Sequence, residues 1–197
     1  VGSLAICTTD FNEGKLNSGI SRLTSKEFAQ RLLDGLDRDL PATVGKWARR
    51  YLWDKNYSET RTPEVPSAII ETLSHQNFPD MLLGQDPNFK FAMARSLYKT
   101  IARFVNEGHG RPTFIQPLTP HAFSLGFTAE NTVRLKWQAT EDTLEPTAHP
   151  TAYVVYTAMG NSGYDNGTVV HQPSYDISIP PGVYLAILGV SGYGILL

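Results

Sequence analysis

The hydrophobic periodicity of the chain changes once, between Gly108 and Pro117, and this change restricts the folds open to it. Before that point, apolar residues recur at helical spacing along two long stretches and fill two short strand-like runs. After it, apolar and polar residues alternate over short runs separated by turn formers, which is typical of β-strands. We therefore predict an α/β domain over residues 1–110, a linker over 111–117 and an all-β sandwich over 118–197.

The α/β half begins with a short apolar run, Gly2 to Thr8, which predicts a strand buried on both faces. Thr24 to Glu27 has the spacing of a capping box, and Pro41 ends the helix that follows. The core-facing stripe of this helix is Phe28, Leu32, Leu33, Leu36 and Leu40. This order of strand and helix, continued by a second strand and helix, predicts α/β layers with parallel strands.

A second long helix is predicted to begin at Asp86, which can act as N-cap with Pro87 at the first helical position. Gly108 is the predicted C-cap. Helical spacing assigns the buried face of this helix to Ala94, Leu97, Tyr98, Ile101 and Val105.

Glu71 ends the second apolar run, Ala68-Ile69-Ile70, which is too short for a helix and reads as a buried strand. In open α/β sheets, reactive groups gather beyond the carboxyl ends of the strands. A glutamate in that position can be partly desolvated and can transfer protons. The alternative from spacing alone is a surface glutamate that follows a strand.

The segment from Trp47 to Arg61 mixes positive charge with aromatic rings immediately upstream of that strand. Such a surface can bind an anionic sugar–peptide polymer through charge-assisted hydrogen bonds and ring stacking. The alternative is an amphipathic excursion over the sheet whose arginines reach out to solvent. Tyr57, Glu59 and Arg61 are the substrate-binding candidates, because they lie closest in sequence to the strand.

The segment from Pro66 to Asp80, with the helix that follows, resembles the C-terminal half of zinc-dependent N-acetylmuramoyl-L-alanine amidases. Glu71 matches the catalytic glutamate of that family, and Asn77 matches its turn asparagine. The chain departs from the family at Leu73 and Ser74, where glycine and phenylalanine usually stand. The sequence from Ser74 to Phe78, with Asn56 to Glu59 upstream, is similar to that of a divergent branch of the family. This branch occurs in multidomain secreted bacterial proteins, some of which are described as xanthan lyases.

This resemblance implies a hydrolase of the amide between N-acetylmuramic acid and the stem peptide of peptidoglycan. The family holds its zinc with two histidines and a glutamate that precede the part matched here, so we expect no metal ligand in this chain and none in His75. It also implies an extracellular, periplasmic or cell-surface protein. Two other interpretations remain open: a non-catalytic binding or scaffold module, and a polysaccharide lyase that would use Tyr57 and Arg61.

The second half resembles a fibronectin type III module. Trp137 fits the core tryptophan of strand B, Tyr153 to Tyr156 fits strand C, and Tyr184 fits the tyrosine of strand F. The last residues, 189–197, are too short and too rich in glycine for strand G. We therefore expect both domains to be cut from a longer protein.

The composition and charge of the chain restrict the classes of partner that it can bind. The net charge is −2, only 18% of residues are charged, and no basic cluster occurs, so nucleic acid is not expected as a partner. No apolar run approaches the ~18 residues of a membrane span. The single cysteine, Cys7, excludes an internal disulfide framework. The expected partner is peptidoglycan or another cell-surface polysaccharide.

Overall fold

The computed structural model describes residues 2–159, 163–178, 185–186 and 190–192. The chain divides into two compact units, residues 1–113 and 114–197, and the division falls inside the segment predicted as a linker. Helices and small sheets occur together, so the chain is of the mixed α/β type. All the helices among the described residues belong to the first unit. None of these helices has the length and apolar character needed to cross a membrane.

The first unit contains a three-stranded sheet with the order β2-β1-β3, formed by β1 (Gly2–Cys7), β2 (Ala48–Asp54) and β3 (Ile69–Glu71). Every residue of the central strand β1 is buried, as predicted. Strand β2 pairs with β1 in parallel, but β3 pairs with it antiparallel. The expectation of parallel strands throughout is therefore wrong for β3. Strand β2 lies within the charged, aromatic segment from Trp47 to Arg61, and no strand was predicted there.

Helix α1 (Leu23–Asp39) packs Leu33 of its predicted apolar stripe, together with Ala29, against the sheet. Leu36 and Leu40 pack instead with Phe89 and Met93, and Phe28 is half-buried against Phe104. Leu32, Leu33 and Leu36 are buried, and the chain turns at Leu40 into the single-turn helix α2 (Pro41–Val44). The predicted capping box is wrong, because the helix begins at Leu23 and no side chain caps it. Ser25 is buried instead, and its Oγ accepts a hydrogen bond of 3.2 Å from the backbone N–H of Ser67.

Three more helices complete the unit: α3 (Ser58–Arg61), α4 (Phe78–Leu83) and α5 (Pro87–Gly108). Asp86 caps α5 as predicted, since its Oδ1 accepts from the N–H of Asn88 at 2.9 Å.

The predicted buried face of α5 is wrong at four of its five residues, and only Leu97 packs against the core. Ile101 is 43% exposed, and Ala94, Tyr98 and Val105 are exposed as well. These side chains, together with Leu97 and two neighbours, line an open apolar groove of about 530 Å³ along the helix.

The opposite side of α5 packs on α1. It buries apolar and polar side chains together, namely Phe89, Met93, Ser96, Lys99 and Thr100. Lys99 forms an ion pair with Asp39 of α1, with 3.0 Å between Nζ and Oδ2. Since α1 also covers the sheet, both long helices lie on one face of β2-β1-β3.

The second unit consists of short antiparallel strands. In chain order they are β4 (His121–Ala129), β5 (Thr132–Gln138), β6 (Tyr153–Val155), β7 (Ala158–Met159), β8 (Thr168–Val170), β9 (Ser174–Ser178), β10 (Leu185–Ala186) and β11 (Val190–Gly192). They form two three-stranded sheets, β4-β5-β9 and β11-β6-β8, and a pair, β10-β7.

The core of this unit holds Trp137 of β5 and Tyr153 of β6, whose rings meet edge to face at 5.3 Å. Of residues 183–190, only 185, 186 and 190 are described. Tyr184 lies outside the described residues, and so does most of the final stretch, 189–197.

Candidate functional site

Glu71 is the last residue of β3 and lies directly opposite Leu4 of β1. Side chains alternate between the two faces of a strand, and opposite residues share a face. Ile70 packs among the residues that contact α1. Glu71 therefore projects from the other face of the sheet, together with Leu4.

The carboxylate of Glu71 is exposed, and it has no hydrogen-bonding or ion-pair partner among the described residues. The partial desolvation expected for it is therefore not observed. Its expected place beyond the carboxyl ends of parallel strands is also wrong. Because β3 runs antiparallel to β1, the end of β3 lies toward the amino end of β1.

Two aromatic residues share this face of the sheet. Trp53 of β2 pairs in register with Ile6 of β1, and Ile6 in turn lies opposite Ile69 of β3. The ring of Tyr51 stacks on that of Trp53, with 5.4 Å between the centroids. The face therefore has a buried apolar centre, Leu4 and Ile6, with an exposed aromatic pair on one flank and Glu71 on the other.

The carboxyl ends of the parallel strands β1 and β2 carry a separate polar cluster. The hydroxyls of Thr8 and Thr60 share a hydrogen bond of 2.6 Å, and Thr8 also donates to the carbonyl of Lys55 at 2.7 Å. On the strand ends themselves, the Asp54 carboxylate accepts from the backbone N–H of Thr9 at 2.9 Å. These bonds attach α3 to the central strand.

Arg22 organises this cluster from within. It is 1% exposed, and its guanidinium donates to the carbonyl oxygens of Phe11, Lys15, Thr60 and Arg61 at 2.8 to 3.3 Å. Such a buried cation is stable only when its donors are satisfied. Nothing in the sequence marked Arg22, because its partners are backbone carbonyls distant along the chain.

The three substrate-binding candidates lie together at this end. Tyr57 immediately precedes α3 and is exposed. Arg61 donates to the Oδ1 of Asn56 at 3.1 Å, and its guanidinium lies 5.8 Å from the centroid of the Phe11 ring. Glu59 is fully exposed. Hydrogen bonds from its own backbone amide and from the Ser58 hydroxyl hold the pKa of Glu59 below its ordinary value.

The structure does not bring these three residues to Glu71. Helix α3 is attached at Thr8, directly after β1, whereas Glu71 lies beside Leu4, four residues earlier in the chain. At a rise of about 3.3 Å per residue, the two places are about 13 Å apart along the sheet. A ligand that contacts both Glu71 and α3 would have to span this separation.

Asn77 has a defined structural contact. Its side chain caps α4, accepting from the N–H of Asp80 at 3.3 Å. Asp80 is itself buried and accepts from the backbone N–H of Ser74 at 2.8 Å. These two hydrogen bonds stabilise the turn that follows β3, so Asn77 helps to set the backbone conformation after Glu71.

The described residues do not fit a zinc ion. A catalytic zinc needs about three protein ligands, and no group of three His, Cys, Asp or Glu side chains within the described part of the chain is arranged to hold a metal. His75 is exposed in the turn before α4.

The arrangement combines an accessible carboxylate, an exposed aromatic pair on the same sheet face, and a rigid polar cluster at the carboxyl end of the parallel strands. The aromatic pair was within reach of sequence reasoning, since Tyr51 and Trp53 have the two-residue spacing of a strand face. No protein-family model matches the chain, and no curated protein sequence matches it.

Proposed function

We propose that this chain is part of a cell-wall hydrolase that cleaves the amide between N-acetylmuramic acid and the stem peptide, with Glu71 as the proton-transferring group. The observation that supports the proposal is the position of Glu71 on the sheet face opposite the two long helices, α1 and α5. The Glu71 carboxylate is exposed at the end of β3 and has no hydrogen-bonding or ion-pair partner among the residues that the structure describes. It is free to meet a substrate.

In this scheme the Glu71 carboxylate accepts a proton from the attacking water and passes it to the leaving amine. The zinc that such amidases use would polarise the scissile carbonyl and the water. Because the described residues do not fit a zinc ion, we assign no residue of this chain to it. Tyr57 and Arg61, about 13 Å away along the sheet, would contact a more distant part of the polymer.

The second unit is proposed to be a fibronectin type III-like module. Two facing sets of antiparallel strands with a buried tryptophan, Trp137, packed on Tyr153 are compatible with such a sandwich. A module of this kind usually spaces or displays its neighbours and seldom carries chemistry. We propose that it displays the first unit outside the cell, at the cell surface or in the periplasm.

The decisive experiment compares Glu71→Gln with the unchanged full-length protein in the release of muropeptides from purified peptidoglycan. Loss of a proton-transferring group is expected to lower the rate by about 10²- to 10⁴-fold. Glu27→Gln is the matched control, because Glu27 is also exposed but lies on α1, which covers the opposite face of the sheet. Equal activity of Glu71→Gln and Glu27→Gln would refute the proposal.

A binding or scaffold role is the second candidate. It is favoured by the separation of about 13 Å along the sheet between Glu71 and the α3 cluster. The same assay separates the candidates when an acidic polysaccharide is included as a second substrate. Turnover of neither substrate supports the scaffold, and turnover of the polysaccharide alone supports a lyase.

A further inference from the structure

The exposed side of α5 carries an apolar stripe, which we call the α5 seam. Its members follow one another at intervals of three and four residues in turn: Phe91, Ala94, Tyr98, Ile101 and Val105. All five are exposed, and the four larger side chains are 39–59% exposed. Intervals of three and four repeat every seven residues, which is the pattern by which one helix packs along another. The seam therefore has the spacing of a helix–helix contact.

The size of the seam is that of a weak interface. From Phe91 to Val105 it covers two heptads, or about 21 Å at 1.5 Å per residue. Large aromatic side chains have about 150–250 Å² of surface each, so the seam exposes on the order of 400 Å² of apolar surface. An area of this size often marks an interaction site. Two such areas together make about 800 Å², which is at the low end for protein contacts and is typical of reversible association.

The seam is complementary in shape to a second copy of itself when the two helices run antiparallel. With the twofold axis between Tyr98 and Ile101, each Tyr98 faces Ile101 of the other copy, and each Ala94 faces Val105. Ala94 also lines the open groove of α5, so a larger side chain has room opposite it. Small side chains therefore meet large ones in the outer layers, as close packing requires.

Charges beside the seam favour the antiparallel direction. Lys90 and Arg95 flank the N-terminal half of the seam, one on each side. In a parallel pair, Lys90 of one copy would lie next to Arg95 of the other, and the like charges would repel. In the antiparallel pair, Arg95 lies next to Ala102 instead. Lys90 then lies at the C-terminal end of the other helix, where the helix dipole favours a cation.

We propose that the α5 seam mediates a weak, twofold-symmetric dimer of this chain, in which the two α5 helices pack antiparallel. The contact is isologous, because the same surface of each copy meets the other. We expect a dissociation constant between about 10 μM and 1 mM. The contact involves neither Glu71 nor α3, so it does not depend on the proposed function.

The test is sedimentation equilibrium of the 197-residue chain from about 5 μM to 1 mM, which should show a monomer in equilibrium with a dimer. Ile101→Asp places a carboxylate against Tyr98 of the other copy, so it should weaken association at least tenfold. Val65→Asp is the matched control, because Val65 is 64% exposed but lies in the loop before β3. It should leave the dissociation constant unchanged.

A charge exchange tests the direction of the helices. Ala94→Lys and Val105→Glu should each weaken association at least tenfold, and both substitutions in one chain should restore it. In the antiparallel pair the introduced ammonium of each copy meets the introduced carboxylate of the other, whereas in a parallel pair like charges would meet. Circular dichroism should show that every variant is folded, since all the replaced side chains are exposed.

Three results would overturn the inference. A chain that stays monomeric up to 1 mM would mean that the seam is covered by a different protein or by another part of a longer chain. Equal weakening by Val65→Asp and Ile101→Asp would place the contact elsewhere. Failure of the double variant, Ala94→Lys with Val105→Glu, to regain association would exclude the antiparallel arrangement.

Discussion

Lys99→Met removes one partner of the buried ion pair that joins α5 to α1. The side chains of Lys99 and Asp39 are only 2% and 4% exposed, with 3.0 Å between Nζ and Oδ2. The substitution leaves the Asp39 carboxylate buried with the charge of Arg38 as its remaining ionic partner at 2.8 Å. Breaking a buried pair in this way costs about 3–5 kcal/mol.

The assay is urea unfolding followed by circular dichroism at the helical band, which reports on the first unit because the described helices lie there. With a urea dependence of about 2 kcal/mol per molar, the midpoint should fall by about 2 M. Arg31→Met is the matched control. Arg31 and Glu107 also join α1 to α5, but they are exposed, so the loss should stay below about 1 kcal/mol.

The contribution of Asp39 to the free energy of unfolding depends on pH with a sign that follows from its pKa. Burial alone would raise the pKa of Asp39, but hydrogen bonds from Arg38 and Lys99 outweigh it and hold the pKa below its ordinary value. The stability from this group is therefore present above the unfolded-state pKa of about 3.9 and is lost as the pH falls through the folded-state value. In Lys99→Met, protonation of Asp39 removes the buried charge. The loss in the free energy of unfolding caused by the substitution should therefore become smaller below about pH 4.

Two results would refute this reasoning. One is a loss of free energy of unfolding in Lys99→Met that is no larger than the loss in Arg31→Met. The other is a double variant, Asp39→Asn with Lys99→Met, that loses as much as the two single losses added together, because removing both charges should restore part of the stability.

Two further predictions concern α5 and Asn77. Ile101→Ala should cost less than about 1 kcal/mol in urea unfolding, whereas Met93→Ala, on the buried face, should cost about 2–5 kcal/mol; equal losses would contradict the orientation of α5. Asn77→Ala should lower stability by about 1 kcal/mol through the lost cap, and Asn77→Asp should restore it. If Asn77→Asp lost muropeptide release while keeping stability, Asn77 would contact substrate as well.

Local patterns predicted the elements whose environment is simple. The run Gly2 to Cys7 is a strand buried throughout, and the leucines of α1 face the core, because each pattern has one consistent solution. Strand β2 was missed because an outer strand with arginines does not show the apolar run of a buried strand. The direction of β3 was missed because a three-residue strand carries no information about which neighbour it will pair with.

The face of α5 shows a different limit. Its sequence contains two apolar stripes, one through Ile101 and one through Phe89 and Met93, and periodicity cannot choose between them. The choice agrees with the contact between Lys99 and Asp39, which lie 60 positions apart. The buried polar pair and the packing of Phe89 and Met93 lie on the same side of α5, a side that the stripe through Ile101 does not indicate.

The position of β3 at the edge of the sheet has a consequence for how the sheet can be extended. Among the described residues, β3 has a strand neighbour on one side only, so its other row of backbone N–H and C=O groups can accept an additional strand. On the opposite edge, the arginines of β2 discourage the same event. A strand added next to β3 would set its side chains beside Glu71 and withdraw that carboxylate from water in a single step.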